Sequence, residues 1–378
     1  MSEIRAEMRL PTRDVRDDIP FFTKVLKMRL DMIYPADDPC VAVFSGHGLR
    51  VRVDAAAEEA PGTLRLLTDR PDSIAGGKRF LTAPNGTRVE IDELHPPLVL
   101  PETRHAFVIR RLADEAPWII GRAGMHYRDL IPDRLGGSII ASHIRIPDGG
   151  PVPDVVHYHT VGFQLIFCYR GWVELVYEDQ GEPFRLHAGD CVTQPPEIRH
   201  RVLFASDDIE VIEIGVPARH ITTIDHDMTL PTPHYRPERA FRGQRFVHHK
   251  AAEAEWRRHR LPGYVSREAA IAANTKNVAE VRVVKRGTGD PVWTCHDADI
   301  LFTFVLQGGM VIEGEGEAPC ALEAGDAFVI PPGMFTRYCQ SDEALELLEV
   351  SLPGVFATRG LHSETRDGIR AMTDWNPG

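Results

Sequence analysis

Apolar residues recur along the chain in runs of about four to eight, broken by Gly, Pro, Asn and Asp. Alternation with a period of two is common, and a sustained helical period is rare. Only two stretches carry one: 17–28 (DDIPFFTKVLKM) and the charged segment 249–259 (HKAAEAEWRRH). The 378 residues include 29 prolines and 31 glycines, the punctuation that many short strands and tight turns require. The pattern predicts a mainly β protein, and the length predicts more than one domain.

The punctuation repeats. "LHAGDCVTQPPEIRH" (186–200) matches "LEAGDAFVIPPGMFT" (322–336), with Gly-Asp and Pro-Pro pairs 136 residues apart. Upstream, "FCYRGWVELV" (167–176) matches "FVLQGGMVIE" (304–313) at a separation of 137. A drift of one residue is a small loop change, so the chain holds two copies of one β module, 136–217 and 277–353. Between them, 218–276 is rich in Arg, His and Pro and reads as a linker with one short helix. A tail, 354–378, follows the second copy.

Within the first copy, "HYHTVGFQLIFCYRG" (157–171) places His157 and His159 one residue apart on an extended segment, so both face the same side. Together with Gly-Asp, Pro-Pro and His200 (189–200), this motif resembles the cupin superfamily, small antiparallel jelly-roll barrels. The resemblance covers 136–353. It implies that His200 lies on a neighbouring strand and converges with His157 and His159 on one divalent metal ion. Core histidines hydrogen-bonded to neighbours are the alternative for a one-sided pair. Gln164 stands where most cupins carry a ligand glutamate. A neutral amide there leaves the metal its full charge, favouring an anionic substrate, or serves as a hydrogen bonder outside the ligand set. In the second copy the corresponding residues are Thr294, His296, Leu301 and Thr336, which predicts a metal-free, structural barrel. His296 beside Asp297 and Asp299 leaves room for some other site.

Counting by twos from Gln164 puts Ile166 and Cys168 inside the first barrel, and counting from His200 puts Val202 and Phe204 inside. These residues predict an apolar substrate pocket. On the strand 141–150, His143 and Arg145 share one face. If that face is inward, His143 is a candidate acid or base and Arg145 a clamp for a carboxylate.

Ahead of the barrels, 7–30 reads strand, amphipathic helix, strand. Strand-like pieces follow at 31–35, 40–46 and 49–54, and Asn85-Gly86 forms a hairpin turn within 82–91. With Asp14, Phe21-Phe22 and Val25-Leu26, the stretch 1–93 resembles the glyoxalase-like (vicinal oxygen chelate) βαβββ fold. A second helix is missing, a short loop over 68–79 taking its place. Glu7 and Glu90 stand at the family's metal positions, and a degenerate structural or dimerisation domain is expected. Residues 94–135 connect it to the first barrel.

The net charge of −12 gives no support for nucleic-acid binding. No run is apolar enough for a membrane span, and the charged N-terminus is unlike a secretory signal. Six dispersed cysteines without a CxxC pair suit a reducing cytoplasm. The cupin resemblance implies a homodimer and a small-molecule substrate. Three functions follow from it. One is an Fe(II) dioxygenase acting on a hydroxy-aromatic acid or dicarbonyl. The second is a redox-neutral lyase, isomerase, decarboxylase or hydrolase using Mn, Ni or Zn. The third is a non-enzymatic sensor or sugar-binding module.

Overall fold

A computed structural model describes residues 4–114, 117–364 and 370–375. The rest of the C-terminal tail lies outside the described residues. The chain divides into two compact units, Met1–Pro97 and Leu98–Gly378. Among the described residues, no helix is long and apolar enough to cross a membrane.

The first unit opens with β1 (Met8–Pro11), helix α1 (Val15–Pro20), β2 (Arg29–Tyr34), β3 (Val41–Gly46) and β4 (Leu49–Asp54). Their sheet runs β1-β4-β3-β2, with β1 parallel to β4. Asp14 caps α1 by accepting the Arg16 N–H at 2.9 Å. Pro20 lacks an N–H, and the helical path continues as a π turn over Phe21–Val25. The helix expected over 17–28 therefore starts and ends earlier. It buries Phe22 and Leu26, and Phe22 stacks on Phe44 at 4.9 Å. The strand pieces expected to part at residue 31 are one strand, β2. A second sheet, β5-β7-β6, holds β5 (Thr63–Thr68), β6 (Phe80–Thr82) and β7 (Arg88–Glu93). Two 3-10 turns, Pro71–Ser73 and Ala75–Gly77, separate β5 from β6, and Asn85-Gly86 turns β6 into β7.

The second unit starts with an arm, β8 (Val108–Arg110), β9 (Ile119–Ile120) and β10 (His126–Asp129). The first barrel follows: β11 (Ile140–Ile146), β12 (Gly150–Pro151), β13 (His157–Thr160), β14 (Phe163–Arg170), β15 (Trp172–Tyr177), β16 (Phe184–His187), β17 (Cys191–Thr193), β18 (His200–Ala205), β19 (Ile209–Val216) and β20 (Ile221–Ile224). A hairpin, β21 (Ala240–Phe241) and β22 (Gln244–Arg245), leads to a second arm of β23 (His248–His249), β24 (Arg257–Arg258), β25 (Tyr264–Glu268) and the single-turn helix α2 (Ile271–Asn274). The second barrel holds β26 (Glu280–Arg286), β27 (Thr294–His296), β28 (Ile300–Gln307), β29 (Gly309–Gly314), β30 (Cys320–Glu323), β31 (Ala327–Ile330), β32 (Thr336–Cys339), β33 (Glu346–Leu352), β34 (Thr358–Glu364) and β35 (Arg370–Trp375).

Each barrel is a pair of facing sheets. The first has β23-β17-β14-β19-β11-β10-β9 opposite β16-β15-β18-β13-β20. The second has β24-β25-β26-β33-β28-β31-β8 opposite β30-β29-β32-β27-β34-β35. The arms are exchanged: β8 precedes the first barrel but pairs with β31 of the second, while β23 precedes the second barrel but pairs with β17 of the first. The Gly-Asp turns receive them. Gly189 and Gly325 take φ of +89° and +96°, the left-handed conformation that glycine adopts without a Cβ clash. Asp190 accepts the Ala251 N–H from the second arm at 2.7 Å, and Asp326 accepts the Leu112 N–H from the first arm at 2.7 Å. Arg267 reaches the Gly189 carbonyl at 3.4 Å, and the fully buried Arg128 reaches the Gly325 carbonyl at 2.5 Å. The motif that reveals the repeat is thus also the latch between its copies.

Two expectations change here. Residues 94–135 and 218–276, read as connector and linker, contain strands of both barrels, because their short apolar pieces pair with strands distant in sequence. The helix expected over 249–259 is absent. β23 pairs with β17, a 3-10 turn occupies Ala251–Glu253, and the nearest helix is α2. Pairing and the Asp190 bond outweigh the local helical propensity. The outer faces of the two large sheets share one core, where Phe163, Leu165 and Phe167 join Phe302, Phe304 and Leu348.

Candidate metal centre

β13 and β18 lie side by side, with His157 directly opposite His200. Alternation along β13 turns His159 the same way as His157. The three rings stand 4.3 to 5.2 Å apart by centroid, and one nitrogen of each lies within 4.8 Å of the others. All three residues are buried, with 0%, 7% and 3% of their surface exposed for His157, His159 and His200.

Each Nδ1 is engaged away from the cluster. His157 Nδ1 contacts the Val155 carbonyl at 2.7 Å and His200 Nδ1 the Ile198 carbonyl at 3.0 Å. A carbonyl only accepts, so the proton sits on Nδ1 and Nε2 carries the lone pair. His159 Nδ1 meets Thr222 Oγ1 at 2.9 Å. His157 Nε2 is buried without any hydrogen-bond partner. Burial, reinforced by the neighbouring imidazoles, pushes the His159 pKa down to about 2, and burial drives that of His200 well below the ordinary value. His157 moves the same way, chiefly through burial. Three neutral rings with fixed outer partners and converging lone pairs fit a divalent cation.

The outer partners extend the site. Asp154, buried, stands 3.6 Å from His157 Nδ1, accepts the Val202 N–H at 3.0 Å and pairs with Arg122. Tyr177 stacks on His200 at 5.4 Å, and its hydroxyl accepts from Gln194 Nε2 at 2.9 Å. His159 and His200 form part of the wall of a cavity of about 530 Å³. Ile144, Ile166, Val173, Leu175 and Val202 make much of the rest apolar, while Arg122, Glu213, Arg219 and His220 supply charge and hydrogen-bonding groups.

The other sequence candidates are distributed as follows. Gln164 is buried on β14. Its Nε2 donates to Glu213 Oε1 at 2.7 Å, and its Oε1 has no hydrogen-bond partner. Ile166 and Val202 line the cavity. Cys168 does not. It points into the packed end of the barrel with Val173 and Leu186, and burial raises its thiol pKa to about 12. Phe204 is 38% exposed and stacks on Trp172 at 5.9 Å. The cause is a bulge: Glu174 pairs with Phe204 but Leu175 with Val202, so Leu203 is an extra residue and the alternation inverts beyond it. His143 and Arg145 also lie away from the cavity, which takes Ser142, Ile144 and Ile146 from the opposite face of β11. His143 instead contacts Glu210 at 2.5 Å and sits 5.5 Å from Phe304 of the second barrel, while Arg145 lies over Trp118. Both faces of this strand are covered, so its pattern did not say which was inward.

Sequence reasoning passed over Asp154, Glu213, His220 and Thr222. Asp154 lies three residues before the His pair, and Glu213 has a counterpart in the repeat at Glu349. His220 and Thr222 sit in the supposed linker. His220 Nδ1 donates to the Pro217 carbonyl at 3.0 Å, leaving Nε2 with its lone pair, and its ring lies 5.4 Å from that of His159.

In the second barrel, Thr294 faces Thr336 across the strands equivalent to β13 and β18. His296 is buried, with Nε2 donating to the Ile330 carbonyl at 3.2 Å. Among the described residues, no second group of three metal-ligating side chains comes together.

The cupin domain model matches residues 142–215 and 280–351. Among curated proteins, no sequence matches this chain. Solved structures with a similar fold include a salicylate 1,2-dioxygenase from Pseudaminobacter salicylatoxidans, at 14% identity and a TM-score of 0.52, covering 70% of this chain and 90% of that one. An oxalate decarboxylase variant from Bacillus subtilis, at 15% identity and a TM-score of 0.51, covers 69% of this chain and 82% of that one. The matched segments coincide with the two barrels: the chain carries two cupin domains, and among the described residues the first of them holds the three-histidine group.

Proposed function

We propose that the first barrel is the centre of a metal-dependent enzyme, a non-haem Fe(II) dioxygenase acting on a small anionic hydroxy-aromatic acid or dicarbonyl. The observation behind this reading is a carboxylate-free triad of neutral imidazoles beside a largely apolar cavity. His157, His159 and His200 would hold the ion. When bound, Fe(II) would supply Lewis acidity and open positions at which an anionic substrate and dioxygen meet. Gln164 holds Glu213 in the cavity wall. With neither of them among the three clustered ligands, the ion keeps its charge and draws an anion toward itself. The apolar wall excludes water and seats the substrate body.

Glu213 and His220 in the same cavity favour a second reading. As proton-accepting groups they suit a redox-neutral lyase or isomerase with Mn, Ni or Zn. The fold hosts both a dioxygenase and a decarboxylase among solved structures. Metal analysis of anaerobically purified protein, with oxygen-uptake assays on salicylate, gentisate and small dicarbonyls, decides between them. Stoichiometric iron with substrate-dependent oxygen uptake is expected. Stoichiometric manganese, nickel or zinc, with turnover in the absence of oxygen, selects the second reading.

For the first unit, we infer a glyoxalase-like βαβββ module followed by a truncated second one. The order β1-β4-β3-β2 and the helix-free β5-β7-β6 sheet support it. Glu7 is paired with Arg50 at 2.9 Å, which suits a structural role.

A further inference from the structure

A second hollow, about 590 Å³, adjoins the metal cavity, and Ala218 and Arg219 line both. Its wall brings together three arginines, Arg104, Arg134 and Arg219, on a chain whose net charge is −12. Two aspartates share the wall, and both are committed. Asp129 pairs with Arg134 at 3.0 Å, and Asp133 accepts the Leu135 N–H at 3.0 Å. The side chains of Arg104 and Arg219 have no hydrogen-bond or ion-pair partner among the described residues.

Arg104 is exposed at its guanidinium but anchored at its stem and backbone. Its stem lies on Gly136, where an added Cβ would come within 2.7 Å of Arg104 Cγ. Gly136 also has a φ of +76°, a conformation that favours glycine. The Arg104 N–H donates to the Leu135 carbonyl at 3.0 Å, and Leu135 is buried, which ties the arginine to the core. Arg219 follows the buried Ala218 and stands at the boundary, one residue before His220 of the metal cavity.

We propose that this hollow receives the anionic end of an elongated substrate whose other end occupies the metal cavity. The ligand class is a dianion: a metal-binding head, a short apolar body and an oxyanion tail, carboxylate or phosphate, held by Arg104 and Arg219. Planar guanidinium forks suit either oxyanion. The two-chamber part rests on the reading of the first barrel as a substrate site, whereas the anion site itself does not.

Calorimetry at low ionic strength tests it with pyrophosphate and with a series of salicylates bearing ω-carboxyalkyl or ω-phosphoalkyl tails of increasing length. Pyrophosphate, itself a metal chelator, is titrated into chelator-stripped protein, where it should bind, and Arg104→Gln and Arg219→Gln should each weaken it about tenfold. Affinity in the salicylate series should rise with the tail and lose that gain in Arg104→Gln. Which tail gains more identifies the oxyanion. Equal pyrophosphate binding by the wild type and both variants, or no binding, overturns the anion site. No gain with tail length, including no binding at all, overturns the shared substrate. Protein that retains no metal yet shows the pyrophosphate pattern would end the proposed function and leave the anion site standing.

Discussion

The two barrels share strand order, Gly-Asp latches and exchanged arms, but their interiors diverge position by position. His157 and His200 of the first correspond to Thr294 and Thr336, Gln164 to Leu301, and His220 to Phe356. Three pairs keep their identity: His159 and His296, Thr222 and Thr358, and Glu213 and Glu349, and the glutamates are used differently. In the first barrel Glu213 lines an open cavity and is held by Gln164. In the second, Glu349 is buried beneath Arg260, which binds it through Nε and Nη2, with His259 at 3.4 Å and Arg282 at 3.9 Å. Arg260 also lies over Phe356 at 5.2 Å, the ring that stands by His296 as His220 stands by His159. The loop between the arm strands supplies Arg122 to one interior and Arg260 to the other. In the second barrel the loop arginine thus pairs with Glu349, whereas in the first Arg122 pairs with Asp154 behind His157.

Removing one imidazole from each barrel tests this division most severely. His200→Ala should lower metal affinity more than about 100-fold, since even the partners behind metal-bound histidines are worth about 10- to 100-fold. Elemental analysis after gel filtration should then find the protein metal-poor, whereas His296→Ala should leave metal content unchanged. Metal loss from the His296 variant alone would reverse the assignment of the two barrels.

Next in size is the internal cation. Arg260→Met leaves Glu349 buried with too little compensation, and breaking a buried pair in this way costs about 3–5 kcal/mol. Urea unfolding should show that loss, and Arg260→Met with Glu349→Leu should recover most of it. If the single variant is as stable as the wild type, the ion pair is not what fills the second barrel.

Much of this architecture was legible in the chain because turn chemistry survives where function does not. Gly189-Asp190 and Gly325-Asp326 must adopt the same backbone in both copies, so both the repeat and the barrels could be read from them. His157, His159 and His200 were legible because strand alternation and two ordered motifs constrain them. The arms were not. β8 and β23 are two or three residues long, and their partners lie in the other barrel, so no local pattern announces them. Phe204 was misplaced because the bulge at Leu203 has no sequence signature, and the face of His143 and Arg145 stayed open because both faces of β11 carry buried residues.

A smaller effect separates the barrels by pH. Burial holds the His296 imidazole at about 4, below its ordinary 6.5. Above pH 6.5 the ring is neutral in the folded and unfolded chain alike and contributes nothing. As pH falls from 6.5 toward 4, only the unfolded chain takes up this proton, so stability declines, by about 3 kcal/mol in full. In denaturant unfolding, the stability of wild type relative to His296→Leu should fall by that amount between pH 7 and 4, since the other buried histidines titrate identically in both. Parallel curves would mean that this ring is solvated.

The smallest effect concerns an outer partner that only the folded chain discloses. Thr222 lies on β20, directly across from His159, and its hydroxyl holds His159 Nδ1 at 2.9 Å. His157 and His200 use backbone carbonyls for the same purpose, which no substitution removes. Thr222→Val keeps the shape of the side chain and deletes that single oxygen. The His159 ring then loses the contact that fixes its tautomer and orientation, and metal affinity should fall about tenfold. Competition with a chelator measures it directly, and the second barrel gives the control: Thr358, on β34, pairs with His296 in the same register, so Thr358→Val should leave chelator competition untouched. An unchanged affinity in Thr222→Val would mean that packing alone orients His159, and that β20 belongs to the barrel for its strand pairing and not for its hydroxyl.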